Sequence, residues 1–242
     1  MSATDSFAPP RLGAILRSHA NVLGALMLRD VRTRMGSAPA FLFVVLWPIS
    51  HIMIIVAMFS LASRLPPYGE SMAVWTASGV LPFMCFSYIS RFMLVSVITN
   101  KPLLSFPRIS VMHVVYSRAA LEILNSCLVI IVVAGIFTAL EIDLRPGNPA
   151  DVAAGLLVCM AIGVGVGTFV SVIAGVSPAM MTIYMVVTIA LWITSGVLFV
   201  PSNLPEPALT FIRYHPIVQG IEWVRSAYYI GYDSVVLDKQ YA

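Results

Sequence analysis

An all-α polytopic membrane protein is the fold class this sequence predicts, and three observations predict it. Positions 152–205 form a run of 54 residues without one Asp, Glu, Lys or Arg. The chain is 59% hydrophobic and only 10% charged, with a mean hydropathy of +0.92. Its charges cluster beside the apolar runs instead of being spread through them. A bilayer's hydrocarbon core takes roughly 20 apolar residues per helix, so the uncharged run alone is long enough for two crossings. A chain of 242 residues with this content holds one membrane domain and leaves little for a separate soluble one. The net charge of +3, placed at the ends of apolar runs, reads as topology information and gives no nucleic-acid signal.

Residues 1–36 are expected to be a cytoplasmic N-terminal segment. It opens with polar Ser2, Thr4 and Asp5 and passes Pro9-Pro10, which does not fit a cleavable signal peptide. Leu12, Ile15, Leu16, Val22, Leu23, Leu26 and Met27 then recur at helical spacing, with Arg11, Arg17, Ser18 and Asn21 on the other side. Such a cationic amphipathic helix lies along a membrane surface or packs on a partner protein; both readings place it in the cytoplasm.

Residues 37–200 are expected to be the transmembrane domain, with five spans near 39–63, 71–97, 118–140, 152–174 and 179–200. Ser37 is placed to cap the first, which carries a kinking Pro48 beside Trp47, and His51. Arg91 in the second is expected to snorkel to the cytoplasmic face. A polar connector with Lys101, Pro102, Pro107 and Arg108 precedes the third. Glu141 to Pro149 has turn chemistry, and the long uncharged run divides at Gly175-Val176-Ser177-Pro178. Gly163, Gly165 and Gly167 suit close helix packing, with a functional hinge as the other reading. Cys85, Cys127 and Cys159 each lie in an apolar run and read as packing residues rather than a disulfide framework.

Topology follows the Lys and Arg bias. Arg11, Arg17, Arg29, Arg32 and Arg34 precede the first span, and Arg91, Lys101, Arg108 and Arg118 surround the second connector. The alternate loops hold only Arg64 and Arg145. The N-terminus is therefore expected inside and, with five spans, residues 201–242 outside. In that last segment the pieces near 208–213 and 217–230 are amphipathic but too short and polar to span. They fit an interfacial or re-entrant hairpin, with Trp223, Tyr228 and Tyr229 as aromatic anchors.

Catalytic and metal signatures are missing. His19, His51, His113 and His215 are far apart and no HExxH occurs; there is no GxSxG, and no Gly-Lys pair from which a phosphate-binding loop could be built. The chain is therefore not expected to be an enzyme or to hold a metal or nucleotide itself. Glu122 is the clear acid within a span, four residues after Arg118 on the same helix face. The pair reads as a structural ion pair at the cytoplasmic end, or as a functional intramembrane charge.

Several segments stand out in order along the chain. They are Arg29-Asp30-Val31-Arg32-Thr33-Arg34, Trp47-Pro48-Ile49-Ser50-His51, Ser78-Gly79-Val80-Leu81-Pro82-Phe83, and Asn100 to Pro107 followed by Ser117 to Glu122. The second half adds Ser195-Gly196-Val197-Leu198-Phe199, Tyr214-His215-Pro216, Glu222 to Tyr228, and Gly231-Tyr232. Taken in order, from about Leu12 onward, these segments resemble permease subunits of ABC-type polysaccharide exporters, most like the capsular branch, with O-antigen exporters next.

The resemblance implies a homodimer in the bacterial inner membrane, each protomer joined to a separate cytoplasmic ATPase subunit that uses ATP and Mg. The substrate implied is a lipid-linked cell-surface polysaccharide, with periplasmic and outer-membrane export partners and membrane lipids as further contacts. The N-terminal helix becomes an interface helix. The connector near 100–109 becomes a coupling helix, contacting the ATPase through Lys101, Leu103, Leu104, Phe106 and Arg108, where composition alone reads a basic topology loop. The tail becomes a periplasmic gate. Trp75, Phe83, Phe86, Tyr88, Trp192, Phe199 and Trp223 are candidates to line a substrate path, and equally good as core or lipid-facing aromatics.

Members carry a sixth span. Here the sequence stops at Ala242, where it would begin, so that span is expected to be absent or truncated. O-antigen, lipid or drug export stay open as alternatives, as do a secondary transporter and, more distantly, an integral-membrane enzyme.

Overall fold

The computed structural model describes residues 12–62 and 65–241. Arg11, Arg64 and Ala242 lie outside them, as do the N-terminal residues before Leu12 and the end of the first expected span at Ser63. All regular structure among the described residues is helical. Four helices are long and apolar enough to cross a membrane, and a fifth apolar helix is shorter.

Helix α1 (Leu12–Met35) is the N-terminal amphipathic element. It turns at Gly36-Ser37 into α2 (Ala38–Ala62), where the Ser37 hydroxyl accepts from the Ala40 amide at 3.4 Å. Ser71 caps α3 (Met72–Leu94), which is prolonged by a one-turn α4 (Ser96–Thr99).

The connector differs from the expected helix. Only a five-residue 3₁₀ turn, Lys101–Ser105, forms, because Pro102 and Pro107 remove two backbone donors from a short segment. Helix α5 (Val111–Ala139) starts seven residues before the expected third span, since Ser110 and His113 form a reciprocal capping pair. Asn148 caps α6 (Pro149–Val176), with proline at the first helical position.

Helix α7 (Ala179–Thr194) has 16 residues and ends six short of the expected boundary at Val200. At a rise of 1.5 Å it is about 24 Å long. The cause is Gly196, whose φ of 77° no helix accommodates. The chain then makes a 3₁₀ turn, Pro201–Asn203, and two short helices, α8 (Glu206–Arg213) and α9 (Pro216–Tyr228).

Helix α3 is the centre of the packing, buried along most of its length, with α6, α2, α9 and α5 around it. Its approach to α6 is close because Gly163 and Gly167 face it. A Cβ on Gly163 would lie 3.0 Å from the Phe86 carbonyl oxygen, and one on Gly167 would lie 2.9 Å from Met93 Cβ. Gly165, two residues from each, faces open space. Cys85 and Cys159 are buried, Cys127 is exposed, and all three are free thiols.

Of the two expected forms of the tail, an interfacial or a re-entrant hairpin, the packing of α9 departs from the interfacial one. Helix α9 is set into the bundle against α6 and α3, and Gln219, Glu222 and Arg225 are fully buried. Gly155 of α6 makes room for it, since a Cβ there would meet Val224 Cγ2 at 2.8 Å.

Candidate functional site

Helices α2 and α7 flank α3, and between them lies a cleft of about 400 Å³ lined mainly by apolar and aromatic side chains. Trp47, His51, Ile55, Met58 and Phe59 come from α2, and Phe83, Met84, Ser87, Tyr88 and Arg91 from α3. Thr188, Ile189 and Trp192 of α7 and Leu198 beyond it complete the wall. Helical spacing explains the selection: residues three and four apart share a face, so each helix contributes one stripe.

The polar groups in this wall are few. His51 Nδ1 and the Tyr88 hydroxyl are hydrogen-bonded at 2.9 Å. Thr188 donates to the carbonyl of Tyr184 at 2.7 Å. Arg91, one turn along α3 from Tyr88, is exposed to the cleft and forms no ion pair among the described residues. Trp192 meets the edge of Phe83, ring centroids 4.7 Å apart.

At the end of the bundle that carries the connector, α1 and α5 share a charge cluster, with Phe92 of α3 against it. Arg118 Nε sits 2.8 Å from Glu122 Oε1, in ion-pair contact without pointing its N–H at that oxygen. Arg34 of α1 donates to the same oxygen at 3.1 Å. Both guanidinium groups lie 5.3 Å from the centre of the Phe92 ring. Arg29 donates to Asp30 at 2.6 Å and to the side-chain carbonyl of Asn100, tying α1 to the start of the connector. His19 and His113 stack, with ring nitrogens 2.6 Å apart.

The opposite end is organised by Arg225. Its guanidinium donates to the carbonyls of Gly196 at 2.7 Å, Val197 at 3.0 Å and Phe199 at 3.3 Å, and to Glu222 at 3.2 Å. It lies over Trp75, 4.2 Å from the ring centroid. The other Glu222 oxygen accepts from Tyr232 and Ser234, each at 2.7 Å. Burial, with the Glu222 carboxylate beside it, pushes the Tyr232 hydroxyl well above the usual phenol range. Burial also holds His215, the α9 cap, below the ordinary imidazole value.

The seven aromatics picked from sequence do not form one surface. Phe83, Tyr88 and Trp192 line the cleft. Trp75 and Phe199 line a second opening beside it of about 330 Å³. Phe86 is fully buried in the core, and Trp223 donates its ring N–H to Asp151 at 3.1 Å on the far side of α9. In the connector Lys101, Phe106 and Arg108 are exposed, while Leu103 and Leu104 are half-buried. Leu104 packs against the bundle.

Sequence reasoning passed over His51 and Arg91 as site residues. The available signal was their position: a ring nitrogen and a lone cation within apolar spans. No three His, Cys, Asp or Glu side chains among the described residues are grouped so as to hold a metal ion.

No family model matches the chain. It is similar to transport proteins. Two relatives from Escherichia coli, each named polysialic acid transport protein KpsM, are 24% identical to it over 211 residues, covering 87% of this chain and 82% of theirs.

Proposed function

We propose that this chain is the transmembrane permease subunit of an ATP-driven ABC exporter that moves capsular or related cell-surface polysaccharide across the bacterial inner membrane. The single observation carrying this reading is the likeness to KpsM along 87% of the chain, in a protein whose four long apolar helices suit a membrane.

In this reading the N-terminus and the 101–105 turn lie in the cytoplasm, and two protomers face each other across the membrane. Each protomer seats a separate ATPase subunit on its connector, and ATP and Mg are used by that subunit. Leu103 and Phe106 offer apolar anchorage, and Lys101 and Arg108 set its orientation. The cleft between α2 and α7 supplies stacking faces for sugar rings, and the chain is a transport subunit with no covalent chemistry of its own. Closure of the ATPase pair shifts the equilibrium between inward- and outward-facing arrangements by binding one of them better.

Deleting the gene and locating the cell's polysaccharide by surface labelling and fractionation tests the reading. The expected result is loss from the surface with accumulation inside, reversed by the restored gene. Normal surface polysaccharide with none retained inside overturns it.

A further inference from the structure

We infer that Arg91, at the foot of the α2–α7 cleft, is the recognition point for an anionic group on the transported molecule: a sugar carboxylate or the phosphate of a lipid carrier. The inference rests on the proposed export function and deepens it by naming the charge class of the substrate. Arg91 lies inside the Met72–Thr99 span and opens into a cleft whose walls are mostly carbon. A guanidinium there is costly unless an anion or water meets it, and arginine's planar fork matches both carboxylate and phosphate.

The described residues do not supply that anion. Among the described residues, each acid within or against the long helices is already engaged: Asp30 with Arg29, Glu122 with Arg34 and Arg118, Asp151 with Lys239, and Glu222 with Arg225. Arg17, Arg32 and Arg213 also form no ion pair among the described residues, but they lie away from the cleft, and Arg91 is the arginine in its wall. The surroundings match a sugar carrying an anion. Tyr88 and His51, hydrogen-bonded to each other at 2.9 Å, add polar atoms next to Arg91, and Trp47 and Trp192 offer flat apolar faces. A space of about 400 Å³ falls within the range of small-molecule sites.

The test uses the purified full chain in nanodiscs, with trigalacturonate, maltotriose and undecaprenyl phosphate as probes and binding measured by calorimetry. Wild type is expected to bind at least one charged probe about tenfold or more tighter than maltotriose, the scale of one charge-assisted contact. R91Q is expected to lose that preference and R91K to regain part of it, with both variants monodisperse on size exclusion. Which charged probe binds identifies the source of the anion.

Equal binding of either charged probe by wild type and R91Q overturns the inference. So does wild-type binding of maltotriose as tightly as the charged probes, a result that leaves the polysaccharide reading standing. Failure of folded wild type to bind either charged probe also overturns it. A normal deletion strain, by contrast, removes the export reading without touching an anion preference measured in vitro.

Discussion

The Arg225 side chain replaces with its own donors the helical hydrogen bonds that α7 gives up at Gly196. Three carbonyls of the 196–199 bend point at one guanidinium, and Glu222 neutralises it. Replacing Arg225 by leucine strands those carbonyls and leaves a buried carboxylate without its cation, a loss of about 3–5 kcal/mol. The expected outcome is a large drop in the detergent melting temperature of R225L. R225K should recover only part of it, because an ammonium cannot reproduce the planar fork.

His215 gives a pH dependence with a definite sign. Burial holds its folded pKa below the ordinary imidazole value of about 6.5, so the opened state binds the proton first as pH falls. Stability of the α9 start is therefore full above about 6.5 and declines from there down through the lowered folded pKa. The protection factors of the Val218 and Gln219 amides, referred to the intrinsic exchange rate at each pH, should fall over that window in the wild type. In His215→Asn, which keeps a capping group, the pH effect should be absent; an equal effect would assign it to another residue. The sequence shows Glu222, Arg225 and His215 plainly enough, but an amphipathic 13-residue piece reads as surface. What buries it, α6 and α3, lies far along the chain.

Among the elements, α6 shows a packing pattern that is visible in the sequence and only partly used. Gly163, Gly165 and Gly167 look like one motif, yet at about 100° per residue only positions four apart share a face. Gly163 and Gly167 meet α3 while Gly165 meets nothing within 4 Å. Gly163→Leu is expected to cost about 1–3 kcal/mol through overpacking, and Gly165→Leu to stay within about 0.5 kcal/mol. Similar melting temperatures for the two variants would refute the packing asymmetry.

The connector carries the other element-scale prediction. Phe106 is 58% exposed, an apolar ring presented on a turn. Under the proposed function, Phe106→Asp or Leu103→Asp should weaken co-purification of the ATPase subunit and leave membrane insertion intact. Unchanged co-purification with both variants would remove the coupling role. The turn's position between two spans was legible from Pro and Lys; its 3₁₀ form was not, because five residues carry too little periodicity.

Across the whole molecule, the route of the chain decides how many times it crosses. The 65–71 and 141–148 loops and the tail meet at one end: Tyr68 packs on Tyr232 at 4.6 Å, and the Asn148 amide donates to the Ala227 carbonyl at 2.9 Å. At the other end Gly175, just before α7, packs on Val97, just before the connector. Helix α7 thus leads from the connector end back to the tail end, although its length of about 24 Å falls short of a hydrocarbon core of roughly 30 Å. The 195–200 bend makes up the difference, and non-helical backbone at membrane depth is tolerated only when protein satisfies it. Arg225 does that. The route therefore predicts a fifth crossing that helix length alone would miss. In a chain freed of Cys85, Cys127 and Cys159, an impermeant maleimide added to whole cells should label Asp143→Cys and Ser202→Cys. It should spare Ser105→Cys until the membrane is opened. Labelling of Ser202→Cys together with Ser105→Cys, and apart from Asp143→Cys, would mean that α7 turns back within the bilayer. The tail would then share the connector's side and could not serve as an outer gate.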